Sequence, residues 1–476
     1  MQKLECCKPE EIGVSSRSVI YFLEALERAR IPLHSLMIIR NGRVATEVYY
    51  EPYEKNMLHR FYSTTKSFAS IAIGCLAGEG KISLKDPIIS YFPEYLPEEV
   101  PEWLSKTTIQ NMLEMRSCHS VTTYKSDWSK NWVESFFKVE PDHHPGTVFS
   151  YDTSSSHTLC ALVEKLTGMK MLDYLRIQCL NEIGFSKQAY IAEDPFGVSW
   201  GGSGLMATTE DVARFALLLL QMGRWNGKQL IPEWYIKEAV SCTVPNIIHG
   251  NELDAVQGYG YQFWKLRRGY ACKGKGSQLA VCIPEEGFIC VTTADTTGVP
   301  GGSQKILDGI FEYIVDSLDR EEPVDDAFQR ACFQNRRLQP LLYKQEYIPD
   351  KSFLERVKDR WYRVHGKPDF FKKIMIRLEA EQGEFLLQSE KKEYSIRFGI
   401  GKMFKEDFPY YHQLYVASGQ WLEKDTLYVE VRILGEEPCL IRFQLVFGDN
   451  ELTLHMINTG ELCFMEFDGW YGGKMA

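Results

Sequence analysis

"HRFYSTTKSFASIAIG", residues His59 to Gly74, sets a hydroxyl and an ammonium three positions apart at the mouth of an apolar helix. Phe68, Ala69, Ile71, Ala72, Ile73, Cys75, Leu76 and Ala77 mark that helix as buried, yet Ser63 and Lys66 stand at its entrance. Residues three apart on a helix are neighbours, so Ser-x-x-Lys brings the two side chains together. Serine is a poor nucleophile at neutral pH and needs a base. Lysine, with a reference pKa of about 10.4, is normally a poor one. The positive end of a helix dipole, burial and a second cation would each favour the neutral amine. The bland alternative is a serine helix cap followed by a surface lysine. At ordinary composition about one or two Ser-x-x-Lys matches arise by chance in such a chain. A second one, Ser389 to Lys392 in "SEKK", lies among charged residues and reads as solvated surface.

Outward from that helix the pattern is mixed. Ser15 to Arg30 reads as a capped amphipathic helix with Val19, Phe22, Leu23 and Leu26 on one face. "LHSLMIIRNGRVATEVYY" (Leu33–Tyr50) is two apolar runs around Asn41-Gly42, which predicts a β-hairpin. Residues 84 to 240 read as mostly helical, with segments at Thr107–Met115, Ser156–Gly168 and Thr208–Gly223. Three strands follow, "GYQFWKL", "YACKGKGSQLAVCI" and "FICVTTA", and then a helix at about Gln304–Leu318. Hairpin, helical insert, meander and closing helix predict an α+β domain over residues 1–320. Its antiparallel sheet is built from both ends of the region and flanked by helices. Acidic "DREEPVDD" opens a linker, residues 321–344. Residues 345–476 carry strictly alternating runs, such as "LYVEVRI" and "IRFQLVF", and predict an all-β, barrel-like domain.

The 476 residues carry a net charge of −10, which argues against a nucleic-acid partner. No apolar run reaches the length of a membrane span, and the first residues have no secretory core. Thirteen scattered cysteines, several in apolar runs, suit reduced thiols in the cytoplasm rather than a disulfide framework. Cys6-Cys7, His119 and His143-His144 have no partners at ligand spacing, so neither a metal nor a cofactor is expected.

Three further blocks stand in order behind "FYSTTKSFAS". They are "PGTVFSYDTSSSHTLCALVEKLTG" (Pro145–Gly168), "GGSGLMATTEDVARFALLLLQMGRWNGKQLIP" (Gly201–Pro232) and "CKGKGSQLAVCIPEEGFICVTTA". Together they resemble the serine β-lactamase and penicillin-binding-protein-like hydrolases, nearest their class C-like branch of esterases, D-aminopeptidases and aminohexanoate-oligomer hydrolases. The resemblance covers about residues 8 to 320. It implies that Ser63 is the acylated nucleophile and Lys66 its general base. Tyr151, in "YDT", would share the base role and protonate the leaving group. Thr153 falls where asparagine is common. Lys273 matches a third-motif cation that binds a substrate carboxylate or holds Tyr151 near its phenolate form, although Lys275 is an alternative register. The oxyanion hole would combine the Ser63 N–H with one near Gly276 or Ser277. Trp200, beside the "GGSGL" turn, would line the pocket together with Tyr62 and Trp264.

The resemblance implies hydrolysis of a small ester or amide through an acyl-enzyme, without cofactor. Acyl transfer to an alcohol would use the same residues, and D-aminopeptidase or β-lactamase-type activity is a further variant. A degenerate member would instead bind ligand through its C-terminal domain. A weaker possibility makes that domain a lipocalin-like carrier, against a structural role beside the hydrolase domain.

Overall fold

The computed structural model describes residues 4–241, 244–320, 347–379, 381–460 and 463–476. The chain divides into two compact units near residue 338. The expected linker, 321–344, lies outside the described residues.

In the first unit, helix α1 (Ser16–Arg28) begins where Ser15 accepts a hydrogen bond from the Ser18 N–H. Strands β1 (Leu33–Arg40) and β2 (Arg43–Tyr49) form the expected hairpin. Asn41 and Gly42, with φ of 50° and 78°, supply its left-handed turn. The short β3 (His59–Arg60) leads into helix α2 (Thr65–Gly78), whose residues from Thr65 to Leu76 are all buried. A helix apolar on every side belongs inside a domain. Around it lie α3 (Ile109–Leu113), α4 (Thr153–Thr167) and α5 (Thr209–Leu220), with β4 (Tyr190–Ile191) and β5 (Leu205–Ala207) between the last two. Thr108 with Asn111 and Thr208 with Asp211 form capping boxes at the starts of α3 and α5.

The chain then returns to the sheet through β6 (Trp264–Lys265), β7 (Tyr270–Gly274), β8 (Gln278–Ile283) and β9 (Phe288–Ala294). The six-stranded antiparallel order is β2-β1-β9-β8-β7-β6. Strand β9 pairs with β1, Leu36 opposite Thr292 and Ile38 opposite Cys290. Both ends of the region therefore build one sheet, as expected. Helix α5 packs on β1, β8 and β9. Helix α6 (Gly302–Gly309) continues through a π turn, Ile310–Ile314, and a 3₁₀ turn ending at Ser317.

Three expectations need correction. "YACKGKGSQLAVCI" is two strands rather than one. Gly276 and Ser277 adopt φ of 74° and 72°, and the Ser277 N–H closes a turn on the Gly274 carbonyl. In "GYQFWKL" only Trp264 and Lys265 form a strand, because the chain folds back at Gln262, whose φ is 66°. Helix α4 starts three residues earlier than expected, since the Asp152 carboxylate accepts from the N–H groups of Ser154 and Ser155.

The second unit is an antiparallel meander of strands from Trp361–Lys367 to Gly469–Met475. It closes into a nine-stranded barrel where Glu393–Ile400 meets Leu414–Glu423 in a short parallel pairing. Its interior is packed with Phe371, Phe385, Phe398, Phe443, Phe467 and aliphatic side chains. Ser389 caps the turn at Lys391 and Lys392 by accepting their N–H groups, consistent with a surface role. Among the described residues no helix is long and apolar enough to cross a membrane.

Candidate active site

Ser63 does not lie in the helix but in the turn before it. The Lys66 N–H donates to the Ser63 carbonyl and the Thr65 N–H to that of Tyr62, at 3.1 and 2.9 Å. Such a 3₁₀ turn superposes side chains three apart more closely than an α-helix does. The turn is held from several sides. Strand β3 pairs with β5, the Phe61 N–H donates to the Leu205 carbonyl, and the Leu205 N–H donates to Thr65 Oγ1. Tyr62, directly before the serine, takes a left-handed φ of 45°, which costs a tyrosine about 1 kcal/mol or more. The surrounding bonds over-determine that conformation.

Lys66 Nζ donates to Ser63 Oγ at 3.0 Å and to the Gly202 carbonyl at 2.6 Å. It lies 4.9 Å from the centre of the Tyr151 ring. Lys66 is 1% exposed. Burial pulls its pKa down to about 7, the Asp152 carboxylate pulls it back up, and the Lys125 ammonium adds to the lowering. A neutral amine is thus populated at neutral pH beside a serine hydroxyl. Asp152 caps α4 and is itself pushed above the usual carboxylate range by burial.

Tyr151 is moved above its ordinary pKa by burial, against a hydrogen bond with Ser63. It is therefore a phenol at neutral pH, which does not favour the phenolate expectation. Trp264, His249 and Phe149 pack on its ring, with centroids 5.5, 5.7 and 6.5 Å away. Lys273 sits 5.2 Å over the Trp264 ring and forms no ion pair among the described residues. Burial lowers its pKa, opposed by the Glu252 and Asp254 carboxylates. Burial and the Lys273 ammonium hold His249 below its ordinary value. Lys275 lies in the turn after β7, not on a strand.

The turn after β7 runs beside the Ser63 turn. A Cβ on Gly274 would stand 2.2 Å from the Phe61 carbonyl oxygen, so glycine permits this approach. Thr64 Oγ1 reaches the Gln278 carbonyl at 3.4 Å. The Ser277 N–H is committed to the Gly274 carbonyl and its hydroxyl to Thr296. Gly276 is thus the better placed of the two to offer a free amide.

Thr153 is the first residue of α4 and donates its N–H to Thr122 Oγ1 at 3.0 Å. Trp200 is buried, with its indole N–H on Tyr124 Oη at 3.1 Å. The Arg60 guanidinium lies 4.8 Å from the centres of both the Trp200 and Tyr62 rings, which joins these two expected pocket walls. His119 lies in the irregular segment after α3, buried, with its ring bonded to the Phe136 carbonyl rather than to a metal ligand set.

Sequence reasoning missed Asp152, Arg60 and the Gly202 carbonyl. The Gly-Gly-Ser-Gly run was the available signal for the last. Added Cβ atoms at Gly201 and Gly202 would come within 2.2 Å of Cys160 Cβ and Thr153 Cγ2. The glycines let this turn press against α4 and present a carbonyl to Lys66.

An antiparallel sheet with a buried helix whose entrance carries Ser-x-x-Lys, faced by a tyrosine from the loop before a second helix, defines a β-lactamase-like hydrolase architecture. A family model described as Beta-lactamase matches residues 21–310, more than half of the chain. The chain belongs to that family. It is 21% identical over 225 residues to the 6-aminohexanoate-dimer hydrolase of Paenarthrobacter ureafaciens, covering 44% of this chain and 57% of that relative. Among solved structures, a Bacillus anthracis protein assigned as a 6-aminohexanoate-dimer hydrolase superposes with a TM-score of 0.53 at 21% identity, covering 67% of this chain and 89% of that one. A D-stereospecific amidohydrolase from Streptomyces sp. gives 0.50 at 17% identity, over 63% and 99% of the two chains. These likenesses establish the fold of the first unit.

Proposed function

We propose that the protein is a serine hydrolase that cleaves a small ester or amide through an acyl-enzyme on Ser63. The observation that carries this reading is the 3.0 Å approach of a buried, low-pKa Lys66 amine to Ser63 Oγ. Neutral Lys66 accepts the Ser63 proton as Oγ bonds to the substrate carbonyl carbon. The oxyanion that forms is received by the N–H groups of Ser63 and Gly276. The Tyr151 phenol protonates the leaving alkoxide or amine, and the proton on Lys66 replaces the one it gave. Water then attacks the acyl carbon, its proton passes to the same pair, and the acid departs as Ser63 regains its hydrogen.

Lys273, without an ion-pair partner among the described residues and partly covered by Trp264, supports a role in attracting an anionic group of the substrate. The eleven described cysteines are free thiols, nine of them away from the exposed N-terminus and mostly buried, which supports a cytoplasmic setting. The test is a panel of p-nitrophenyl esters, D-amino-acid amides and nitrocefin, with wild type and Ser63→Ala compared. Turnover of an ester or amide that Ser63→Ala abolishes supports the reading. Equal turnover by both proteins, or none by wild type on any substrate, contradicts it.

A further inference from the structure

Gln262 lies outside every motif considered above, yet it bonds to three of the elements around the site. It is 2% exposed and holds a left-handed backbone, φ 66°. Glycine takes that conformation readily and glutamine rarely does, so the position retains a side chain against its backbone preference. Its carbonyl accepts from Ser67 Oγ at 2.8 Å, one residue beyond Lys66 on α2. Its side-chain oxygen accepts from Ser156 Oγ at 2.6 Å, on α4, the helix that follows Tyr151 and Asp152. Its amide nitrogen donates to the Met112 and Leu113 carbonyls at 3.0 and 2.9 Å, at the end of α3. Its own N–H also reaches the Leu113 carbonyl, at 3.1 Å. Met115, just beyond α3, accepts the Ser150 N–H on its carbonyl and the Asp152 N–H on its sulfur, and so holds the Tyr151 loop.

We propose that Gln262 is a positioning residue that fixes the spacing between Lys66 and Tyr151 by tying α3 and α4 through its side chain, and α2 through its main-chain carbonyl, to one buried residue. The inference rests on the Ser63–Lys66–Tyr151 reading above and adds to it a control point some 200 positions from the nucleophile in the chain. Both of its side-chain functions are used: the carbonyl oxygen takes a hydroxyl proton and the amide satisfies two helix-end carbonyls. Loosening the tie lets α4 move relative to α2. The groups that act on the Lys66 ammonium are Asp152, Lys125 and Tyr151, and two of them, Asp152 and Tyr151, would shift with α4.

The test uses Gln262→Gly, which suits the left-handed backbone and keeps the main-chain bonds while deleting the side-chain ones. Measured well below its unfolding temperature, this variant should lose about tenfold or more in kcat. The acid limb of kcat/KM should rise by about one pH unit as Lys66 gains water. KM should change by less than about threefold. A residue that only stabilised the fold would lower the unfolding temperature and leave the acid limb in place. That result, with kcat within about twofold of wild type, overturns the proposal. Should Gln262→Gly fail to fold, Ser156→Ala and Ser67→Ala each remove one of the ties with little loss of volume. The same direction of shift in either supports the proposal, and an unmoved limb in both overturns it. Wild type is assayed first for a covalent adduct on Ser63. Its absence ends the parent reading, and this one with it, before any variant is compared.

Discussion

The carbonyl oxygen of Gly202 accepts a 2.6 Å hydrogen bond from Lys66 Nζ, across 136 positions of sequence. That bond and the one to Ser63 Oγ fix where the amine points. A methyl group at residue 202 would overlap Thr153 Cγ2 at 2.2 Å. Gly202→Ala should therefore displace the carbonyl and slow fluorophosphonate labelling of Ser63 by about tenfold or more. Thr153→Ser removes the overlapping methyl, so the double variant should recover part of the lost rate. The Thr153 carbonyl, 3.2 Å from the added Cβ, keeps recovery incomplete. Labelling rates of the three proteins decide it.

The pH dependence follows from the low pKa of Lys66. In the proposed mechanism the neutral amine is the working form, so kcat/KM should rise as pH increases through about 7. Asp152 favours the charged amine, so removing its charge should move the acid limb to lower pH. Asp152→Asn would also weaken the cap of α4, at a cost of about 1 kcal/mol. A pH–rate profile and a urea titration separate the two effects. An acid limb that stays put or moves upward in Asp152→Asn would contradict the assignment.

Stability should carry the same signature. Folded Lys66 titrates at about 7, below the unfolded value of about 10.4. Between those values the unfolded chain binds more protons, so this group's contribution to stability rises with pH across that window. Buried thiols such as Cys75 and Cys272, pushed up to about 12 by burial, slope the opposite way at alkaline pH. They do so equally in wild type and Lys66→Met. The stability gained by Lys66→Met should thus be greatest at or below pH 7, on the order of a few kcal/mol, and shrink toward pH 10. Urea unfolding of both proteins at the two ends of the window measures it.

Tyr151→Phe should keep the fold, because Trp264, His249 and Phe149 pack against the ring rather than the hydroxyl. Its kcat should fall by about 10² to 10⁴ with the loss of the proposed proton donor. Since burial raises the phenol's pKa, wild type should show no alkaline limb from this group below its ordinary value. Steady-state kinetics of the variant and the alkaline half of the wild-type profile check both statements.

Much of the fold was legible because its signals are local. Asn41-Gly42 announces a hairpin, alternation in "LYVEVRI" announces a half-buried strand, and the apolar run after Lys66 announces a buried helix. The Gly-Lys-Gly stretch was misread because its apolar flanks masked a turn that only the positive φ of Gly276 and Ser277 reveals. Ser63 and Lys66 stood out through residue type and spacing, and Tyr151 through the resemblance that "YDT" carries. Gly202, Asp152 and Gln262 did not. The first acts through a backbone carbonyl, which carries no residue-type signal. The second caps α4, which starts three residues earlier than expected, and its electrostatic action on Lys66 depends on how α2 and α4 pack. The third works through bonds to residues 106 to 195 positions away. Contacts of that range leave no periodicity to read.

The central claim is an unprotonated Lys66 activating Ser63, and the most direct measurement is the pH dependence of covalent labelling located by mass spectrometry. The account predicts one fluorophosphonate adduct, on the peptide containing Ser63, forming at a rate that rises through about pH 7. The adduct should be lost in Ser63→Ala and retained in Ser389→Ala. Absence of an adduct on Ser63, or a rate that rises only near the pKa of free lysine, about 10.4, would contradict it.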